Sequence, residues 1–112
     1  MTKNEAWDVI PMCGCGAPEE WLETLHWILW AHTPVSPATP GAMLISQRLA
    51  FYGYLEERSG GMFWGVLYML EQLDLTEHGG SVRAGWLTEK GEDARRWLDA
   101  HGCDPDAWPE DP

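Results

Sequence analysis

Residues 73–91, LDLTEHGGSVRAGWLTEKG, carry the pattern from which the rest of the fold can be read. Paired glycines at 79–80 supply the positive φ that a tight hairpin turn needs, between a short strand beginning near Leu75 and a return strand at 82–88. Thr88 is a suitable N-cap residue, so a helix is expected to begin directly after the hairpin. These residues therefore predict a short two-stranded hairpin followed by a helix.

Four helices are predicted, because apolar residues recur at helical spacing in four segments. The segments are residues 18–32, 42–58, 62–73 and 88–101. The side chains expected to face the core are Trp21, Leu25, Ile28, Leu29, His32, Leu44 or Ile45, Leu49, Tyr52, Leu55, Val66, Leu67, Leu70, Leu73, Ala94, Trp97 and Leu98. Gly53 and Gly65 interrupt two of these helices at a cost of roughly 1 kcal/mol each, so we expect another segment to pack closely against them.

The predicted domain covers residues 18–103, and the segments on both sides of it are expected to be less regular. Residues 1–17 form an N-terminal arm with a Cys-Gly-Cys-Gly run at 13–16, where the two glycines make a permissive loop. Residues 104–112 form an acidic, proline-rich tail, and three prolines make the connector at 33–41 stiff and non-helical. We therefore predict an α+β chain, mostly α, with four helices and one short two-stranded hairpin.

The predicted order of three helices, a hairpin and a further helix resembles the winged-helix domains of MarR-like and PadR-like regulators. In those regulators the second strand of the wing runs into a Leu-Thr-x-x-Gly motif, and here Leu-Thr-Glu-Lys-Gly stands in that place at 87–91. Leu87 would point into the core, Thr88 would cap the next helix, and Gly91 would let its first turn pack closely. The resemblance covers residues 42–101 and implies a winged-helix fold whose third helix reads the DNA major groove.

The third predicted helix departs from the winged-helix pattern in its charge. Residues 62–73 contain no Lys or Arg and carry Trp64, Tyr68 and Glu71, and the wing contributes only Arg83. The whole chain has a net charge of -11, from 7 Lys and Arg against 18 Asp and Glu. Binding to nucleic acid or to an anionic membrane depends on basic side chains, so a protein with a basic surface is the expected partner.

Tryptophan is the most unusual feature of the composition, with 8 in 112 residues. Either these rings form a tryptophan-rich core, or some of them lie at an interface, where aromatic anchors are enriched. Because the third helix also lacks basic residues, the second interpretation favours a protein-binding module that acts as an adaptor or an inhibitor. The expected partner-binding residues are Trp27, Trp30, Trp64 and Tyr68.

Two other functions stay open at this point. A dimeric DNA-binding transcription regulator would follow from the fold order, with the homodimer gathering on one face Arg48, Arg58, Arg83, Arg95 and Arg96. A DNA mimic, such as a phage inhibitor of a host nucleic-acid enzyme, would follow from the net charge of -11. Frequent Gly, Ala, Pro, Trp and Arg indicate GC-rich codons, and the chain resembles small phage proteins of high-GC bacterial hosts.

Three cysteines and one histidine form a candidate metal site. Cys13-x-Cys15 lies near one end of the chain and His101-x-Cys103 near the other, which matches a Cys3His zinc set in type and number. Four protein ligands leave no open position, so the zinc would be structural and would hold the N-terminal arm against the end of the last helix. The alternatives are reduced thiols without a metal, and a redox disulfide.

No catalytic motif is visible, and we expect no enzymatic activity. The chain lacks a phosphate-binding loop, a dinucleotide fingerprint and a nucleophile elbow. Its carboxylates lie in solvated runs, and the histidines are scattered, with His26 and His32 expected on partly buried helix faces. The N-terminal sequence MTKNEAWDVIPM holds no continuous apolar stretch, and no apolar run approaches the roughly 18 residues of a membrane span. The expected location is therefore the cytoplasm.

Overall fold

Five α-helices and one two-stranded hairpin form the described part of the chain. The computed structural model describes residues 1–10, 18–37, 39, 41–78 and 85–111. In chain order the elements are α1 (Lys3–Val9), α2 (Pro18–Ala31), α3 (Ile45–Ser59), α4 (Gly61–Gln72), β1 (Thr76–Glu77), β2 (Trp86–Leu87), α5 (Glu89–His101) and a 3-10 turn (Pro105–Ala107). The prediction of a mostly helical α+β chain with a short hairpin is confirmed.

Helix α2 lies at the centre of the core and packs against α3, α4 and α5. It carries apolar side chains around most of its circumference, as a helix buried between several neighbours must. The side chains predicted to face the core from this segment are all buried, namely Trp21, Leu25, Ile28, Leu29 and His32. The predicted core residues of α5 are buried as well, namely Ala94, Trp97 and Leu98.

The hairpin joins α4 to α5, and its last residues position the start of α5. The two strands pair antiparallel in the register Thr76–Leu87 and Glu77–Trp86. Thr88 caps α5, because its side chain accepts a hydrogen bond from the backbone N–H of Gly91. A Cβ atom at Gly91 would collide with the carbonyl oxygen of Leu75. The close packing predicted for this first helical turn is therefore confirmed.

The two terminal segments contribute to the core, although the sequence predicts an irregular arm and a tail. Thr2 caps α1 by accepting a hydrogen bond from the backbone N–H of Glu5, and Ala6 is fully buried. Trp108 is 2% exposed, and its ring centroid lies 5.1 Å from that of Trp7. The predicted count of four helices is therefore too low, because tertiary burial stabilises a short helix that has no long apolar pattern.

Helix α3 buries Tyr52 and Leu55 as predicted, but its N-terminal half departs from the predicted core stripe. Leu49, expected in the core, is 51% exposed, while the neighbouring Arg48 is 6% exposed. Nη1 of Arg48 donates a hydrogen bond of 2.7 Å to the carbonyl oxygen of Gly85 in the hairpin, which offsets part of the cost of burying the charge. A similar difference appears at the next helix, because Leu73, the residue that follows α4, is 42% exposed although it was expected in the core, whereas Phe63 is fully buried.

The two glycines inside α3 and α4 do not lie against another segment, so the close packing predicted there is wrong. A Cβ atom built at Gly53 or at Gly65 would have no neighbour within 4 Å. Both residues are exposed and lie in helix interiors. Each therefore lowers the stability of its helix without allowing any close approach.

Replacing Gly53 or Gly65 by alanine is expected to raise the free energy of unfolding by about 0.5–1 kcal/mol. Alanine restricts the unfolded chain, and the open space at both positions accepts its methyl group without strain. Urea unfolding followed by circular dichroism measures the change. A loss of stability at either position would show that something packs against that glycine and would contradict the description of these helix faces.

Candidate functional site

The four aromatic residues predicted to bind a partner lie on two helices. Trp27 and Trp30 lie on α2, whereas Trp64 and Tyr68 lie on α4. The three tryptophans are partly buried, and Tyr68 is 50% exposed. Since their neighbours differ, each pair offers a partner a different kind of surface.

Trp27 faces α3 and is held there by two contacts. Its ring lies edge-on to Phe51, with 6.1 Å between the ring centroids. The guanidinium carbon of Arg58 lies 5.3 Å from the centroid of the indole, which is within the range of a cation–π interaction. Much of the surface of Trp27 is therefore already used inside the molecule.

Trp30 faces α5, and both its polar edge and its ring are engaged. Nε1 of Trp30 donates a hydrogen bond of 2.7 Å to Oδ1 of Asp99. The guanidinium carbon of Arg95 lies 4.7 Å from the centroid of the same indole. Arg95 is itself buried and donates from Nη1 to Oγ1 of Thr33 over 2.9 Å. Trp30 therefore stabilises the contact between α2 and α5.

The outer side of α4 carries a preformed aromatic stack. Trp64 and Tyr68 lie one turn apart, with 5.8 Å between their ring centroids and 25° between their ring planes. Trp64 also packs edge-on against Phe63, a fully buried residue, at 5.3 Å. The stack is thus anchored to the core at Trp64 and presents the ring of Tyr68 to the outside.

Next to this stack, the end of α4 and the hairpin enclose a shallow acidic pocket of about 420 Å³. Nε2 of His78 lies 2.7 Å from Oε1 of Glu71. Nε1 of Trp86 donates a hydrogen bond of 3.2 Å to Oε2 of Glu77, and this indole is 44% exposed. The residues that line the pocket are Glu71, Asp74, Thr76, Glu77, His78 and Trp86.

The aromatic stack and the pocket form one continuous surface, because Tyr68 and Glu71 are neighbours on the same side of α4. We call this surface the α4–hairpin face and define it by five residues, namely Trp64, Tyr68, Glu71, His78 and Trp86. It combines large aromatic side chains with the carboxylate of Glu71, and the carboxylates of Asp74 and Glu77 line the same pocket. Such a surface suits a partner that offers apolar and basic groups.

The basic side chains of the described residues are mostly engaged within the molecule. Arg48 and Arg95 are 6% and 4% exposed. Nζ of Lys90 donates to the carbonyl oxygen of Leu73, and the side chain of Lys3 pairs with that of Glu110. Arg96 lies within ion-pair distance of two carboxylates on its own helix. Two of the five arginines that the DNA-binding hypothesis places on one outer face are therefore buried, and Arg83 lies outside the described residues.

A polar cluster between α2 and the end of α5 was not predicted. Nε2 of His26 lies 2.6 Å from Oδ1 of Asp99. Nδ1 of the same imidazole lies 3.7 Å from Sγ of Cys103. Asp99 and Cys103 lie 73 and 77 positions after His26 in the chain, so no local sequence pattern links them to it. The sequence could have indicated this cluster only through the apolar faces of α2 and α5, which pack against each other.

The predicted zinc ligands are only partly placed by the structure. Cys13 and Cys15 lie outside the described residues. The imidazole of His101 packs against Trp97, with 4.1 Å between the ring centroids. Sγ of Cys103 lies close to His26. Within the described ranges, no group of three His, Cys, Asp or Glu side chains is arranged to hold a metal ion.

Comparisons of the chain with protein-family models, with curated proteins and with solved structures found no match. Across the described ranges, none of the helices combines the length and the apolar character that a membrane span requires.

Proposed function

We propose that the protein is a winged-helix-like, non-catalytic protein-binding module that holds a basic partner on the α4–hairpin face. One observation carries this proposal. The elements that contact DNA in a winged-helix domain are the third helix of the motif and the wing, which correspond here to α4 and the hairpin. The described side chains that these elements leave exposed or partly exposed include Trp64, Tyr68, Glu71, Glu77 and Trp86, and α4 contains neither Lys nor Arg.

The exposed aromatic residues support a protein partner. Tyr68 is 50% exposed and Trp86 is 44% exposed. Because burial of an aromatic ring contributes a large favourable free energy, a partner that covers these two rings would gain it on binding. Both are held in place, Tyr68 by stacking on Trp64 and Trp86 by its hydrogen bond to Glu77. Side chains that are already ordered lose little conformational entropy on binding, so these two rings are suited to act as anchors.

The charges on the same face favour a basic partner. Glu71, Asp74 and Glu77 line one pocket, and the chain carries a net charge of -11. Complementary charge increases the rate of association and disfavours partners of like charge. Nucleic acid is such a like-charged ligand, and the burial of Arg48 and Arg95 further reduces the charge available to phosphate groups.

The proposal assigns unequal roles to the four anchors that the sequence predicts. Trp64 and Tyr68 are assigned to the main contact, together with Trp86. Trp27 and Trp30 are assigned to packing, because Arg58 and Arg95 lie over their rings. As part of the same proposal, the protein acts in the cytoplasm of a high-GC bacterium, which would be the host cell if a phage encodes the protein. The alternative function, a DNA mimic, would use the same acidic face.

Replacing Tyr68 by alanine is expected to weaken partner binding at least tenfold, which is the size of effect seen at an aromatic hot spot. The side chain is half exposed, so the fold should be preserved. The partner is first identified by affinity purification and mass spectrometry, and its dissociation constant is then measured for each variant at two salt concentrations. Weaker binding at high salt is expected from the acidic face.

The matched control is Tyr54→Ala. Tyr54 is 51% exposed on α3, stacks on Phe51 and accepts a hydrogen bond from Arg58, so it has similar exposure and similar neighbours but lies outside the α4–hairpin face. Its replacement should leave the dissociation constant unchanged. Equal losses in both variants, or no loss in Tyr68→Ala, would contradict the proposed interface.

A further inference from the structure

We propose that the pocket between the end of α4 and the hairpin binds a guanidinium group, supplied by an arginine side chain of the basic partner. We call this pocket of about 420 Å³ the guanidinium pocket. The inference rests on the proposed function, because it names the residue type that the α4–hairpin face recognises. Three features of the pocket wall carry it, namely a buried hydroxyl, an exposed carboxylate and an ordered indole.

The buried hydroxyl belongs to Thr76 in β1. This residue is 4% exposed and yet lines the pocket. Its side chain makes no hydrogen bond to another described residue. A polar group that is withdrawn from water on folding usually finds a hydrogen-bond partner, so an unsatisfied hydroxyl at a pocket wall indicates a ligand that completes it. A hydroxyl oxygen can accept a hydrogen bond from an N–H group of such a ligand.

The carboxylates of the pocket differ in what already occupies them. Oε1 of Glu71 lies 2.7 Å from Nε2 of His78. Asp74 is exposed, and its carboxylate forms neither a hydrogen bond nor an ion pair with another described residue. Glu77 is also exposed. We therefore assign a bound cation to Asp74 and Glu77, which follow each other closely along the chain at the start of the hairpin.

The indole of Trp86 is held in place beside these carboxylates. Trp86 lies opposite Glu77 in the hairpin register, and its Nε1 donates a hydrogen bond of 3.2 Å to Oε2 of that residue. The ring is 44% exposed and lines the pocket. A guanidinium is planar and stacks on aromatic faces, where it also gains a cation–π interaction. The hydrogen bond thus keeps a stacking surface ordered before the ligand arrives.

This combination of groups favours arginine over lysine. Exposed ion pairs contribute little by themselves, so the charge of the carboxylates alone does not select the ligand. A guanidinium presents five N–H donors in one plane, which suits several acceptors around it while its face stacks on an indole. An ammonium group is a compact charge with three donors and no flat face. The hydroxyl and the indole are therefore the features that distinguish the two cations.

The test titrates the full chain with Nα-acetyl-arginine amide at low salt and follows the indole N–H signal of Trp86 in ¹H–¹⁵N NMR spectra. We expect a saturable shift of this signal. The citrulline analogue, a neutral group of the same shape, should bind at least about tenfold more weakly, and the lysine analogue at least about threefold more weakly. The absence of a saturable shift up to tens of millimolar, or equal binding of arginine and citrulline, would overturn the proposal.

Two conservative variants test the individual groups. Thr76→Val removes the hydroxyl but keeps a β-branched side chain that suits a strand, and it should weaken binding of the arginine probe by about 3- to 10-fold, as loss of one hydrogen bond does. Asp74 has a φ of 63°, a conformation that asparagine also adopts. Asp74→Asn should therefore keep the fold and weaken binding by about tenfold, because a charge-assisted hydrogen bond is lost.

The matched control is Glu57→Gln, which removes an exposed carboxylate from α3 and should leave binding of the arginine probe unchanged. Equal losses in Glu57→Gln and Asp74→Asn would show that the probe responds only to the net charge of the chain, and would reject the pocket. Unchanged binding in either Thr76→Val or Asp74→Asn would also reject the site.

The source of the guanidinium is tested separately. If free L-arginine binds at least about tenfold more tightly than the blocked probe, a difference of about 1.4 kcal/mol, the ligand is the amino acid itself and the assignment to a partner is overturned. Once the partner is identified, a loss of its binding in Tyr68→Ala but not in Asp74→Asn would reject the guanidinium pocket and keep the α4–hairpin face. Selective binding of the blocked probe, with no effect of Tyr68→Ala on the partner, would keep the pocket and contradict the proposed function.

Discussion

Replacement of Trp108 by alanine is expected to lower the free energy of unfolding by about 3–5 kcal/mol, as large-to-small changes in a protein core do. Trp108 is 2% exposed, and its indole contacts the rings of Trp7 and Trp97 at centroid distances of 5.1 and 5.6 Å. Its Nε1 also donates a hydrogen bond of 2.8 Å to the carbonyl oxygen of Gly102. Alanine would leave a cavity between α1 and α5 and would remove that donor.

The expected loss is a large part of the total stability of a small domain, so the melting temperature should fall by more than about 10 °C. Trp86→Ala is the matched control, because it removes the same side chain at a position that is 44% exposed. That change should cost no more than about 1 kcal/mol. Equal losses in the two variants, measured by urea unfolding, would show that the segment around Trp108 is not part of the core.

Replacing Gly91 by alanine is expected to lower the free energy of unfolding by about 1–3 kcal/mol, as overpacking of a core does. A Cβ atom there would collide with the carbonyl oxygen of Leu75. That oxygen accepts a hydrogen bond of 3.1 Å from the backbone N–H of Thr88. Because the obstacle is backbone rather than a flexible side chain, the first turn of α5 would have to move away from the hairpin.

Gly53→Ala is the internal control for this variant, because the same change at an open helix position is expected to raise stability by about 0.5–1 kcal/mol. The two substitutions should therefore have opposite signs in the same unfolding assay. Amide hydrogen exchange should also show faster exchange at Thr88 in Gly91→Ala, since displacement of α5 stretches its hydrogen bond to Leu75. An unchanged or higher stability for Gly91→Ala would contradict the packing described for this turn.

Much of the fold follows from local patterns in the sequence. The apolar spacing of residues 18–32 predicts α2 and its buried face, because a helix places residues three and four apart on one side. Thr88 and Gly91 predict the start of α5 and its close approach to the hairpin. These features depend on a few neighbouring residues, so they can be recognised without knowledge of the rest of the chain.

The candidate site was predictable in part for the same reason. Trp64 and Tyr68 lie on α4 away from its core stripe of Val66, Leu67 and Leu70, so helical geometry alone places them towards the outside. The stacking of their rings also follows from their four-residue spacing. The contribution of Trp86 depends on the hairpin lying beside α4, and the sequence did not include this ring among the expected partner-binding residues.

The pairing of Arg48 with the hairpin was decided only by the tertiary structure. Sequence hydrophobicity favours burial of Leu49, yet Arg48 is the buried residue, because Gly85, 37 positions away, offers it a carbonyl oxygen. His26 and Cys103 likewise meet only because α2 and α5 pack together. Such contacts carry no local signal, since each residue obtains its partner from a distant part of the chain.

Dependence on distant parts of the chain also explains why two tryptophans differ in burial. Trp86 stays 44% exposed on the hairpin, whereas Trp108 is 2% exposed. The sequence places Trp86 on the predicted return strand and Trp108 in a tail expected to be irregular, so it predicts neither value. Trp108 is buried because α1 and α5 meet over it, and that meeting depends on the packing of the whole chain rather than on the residues beside it.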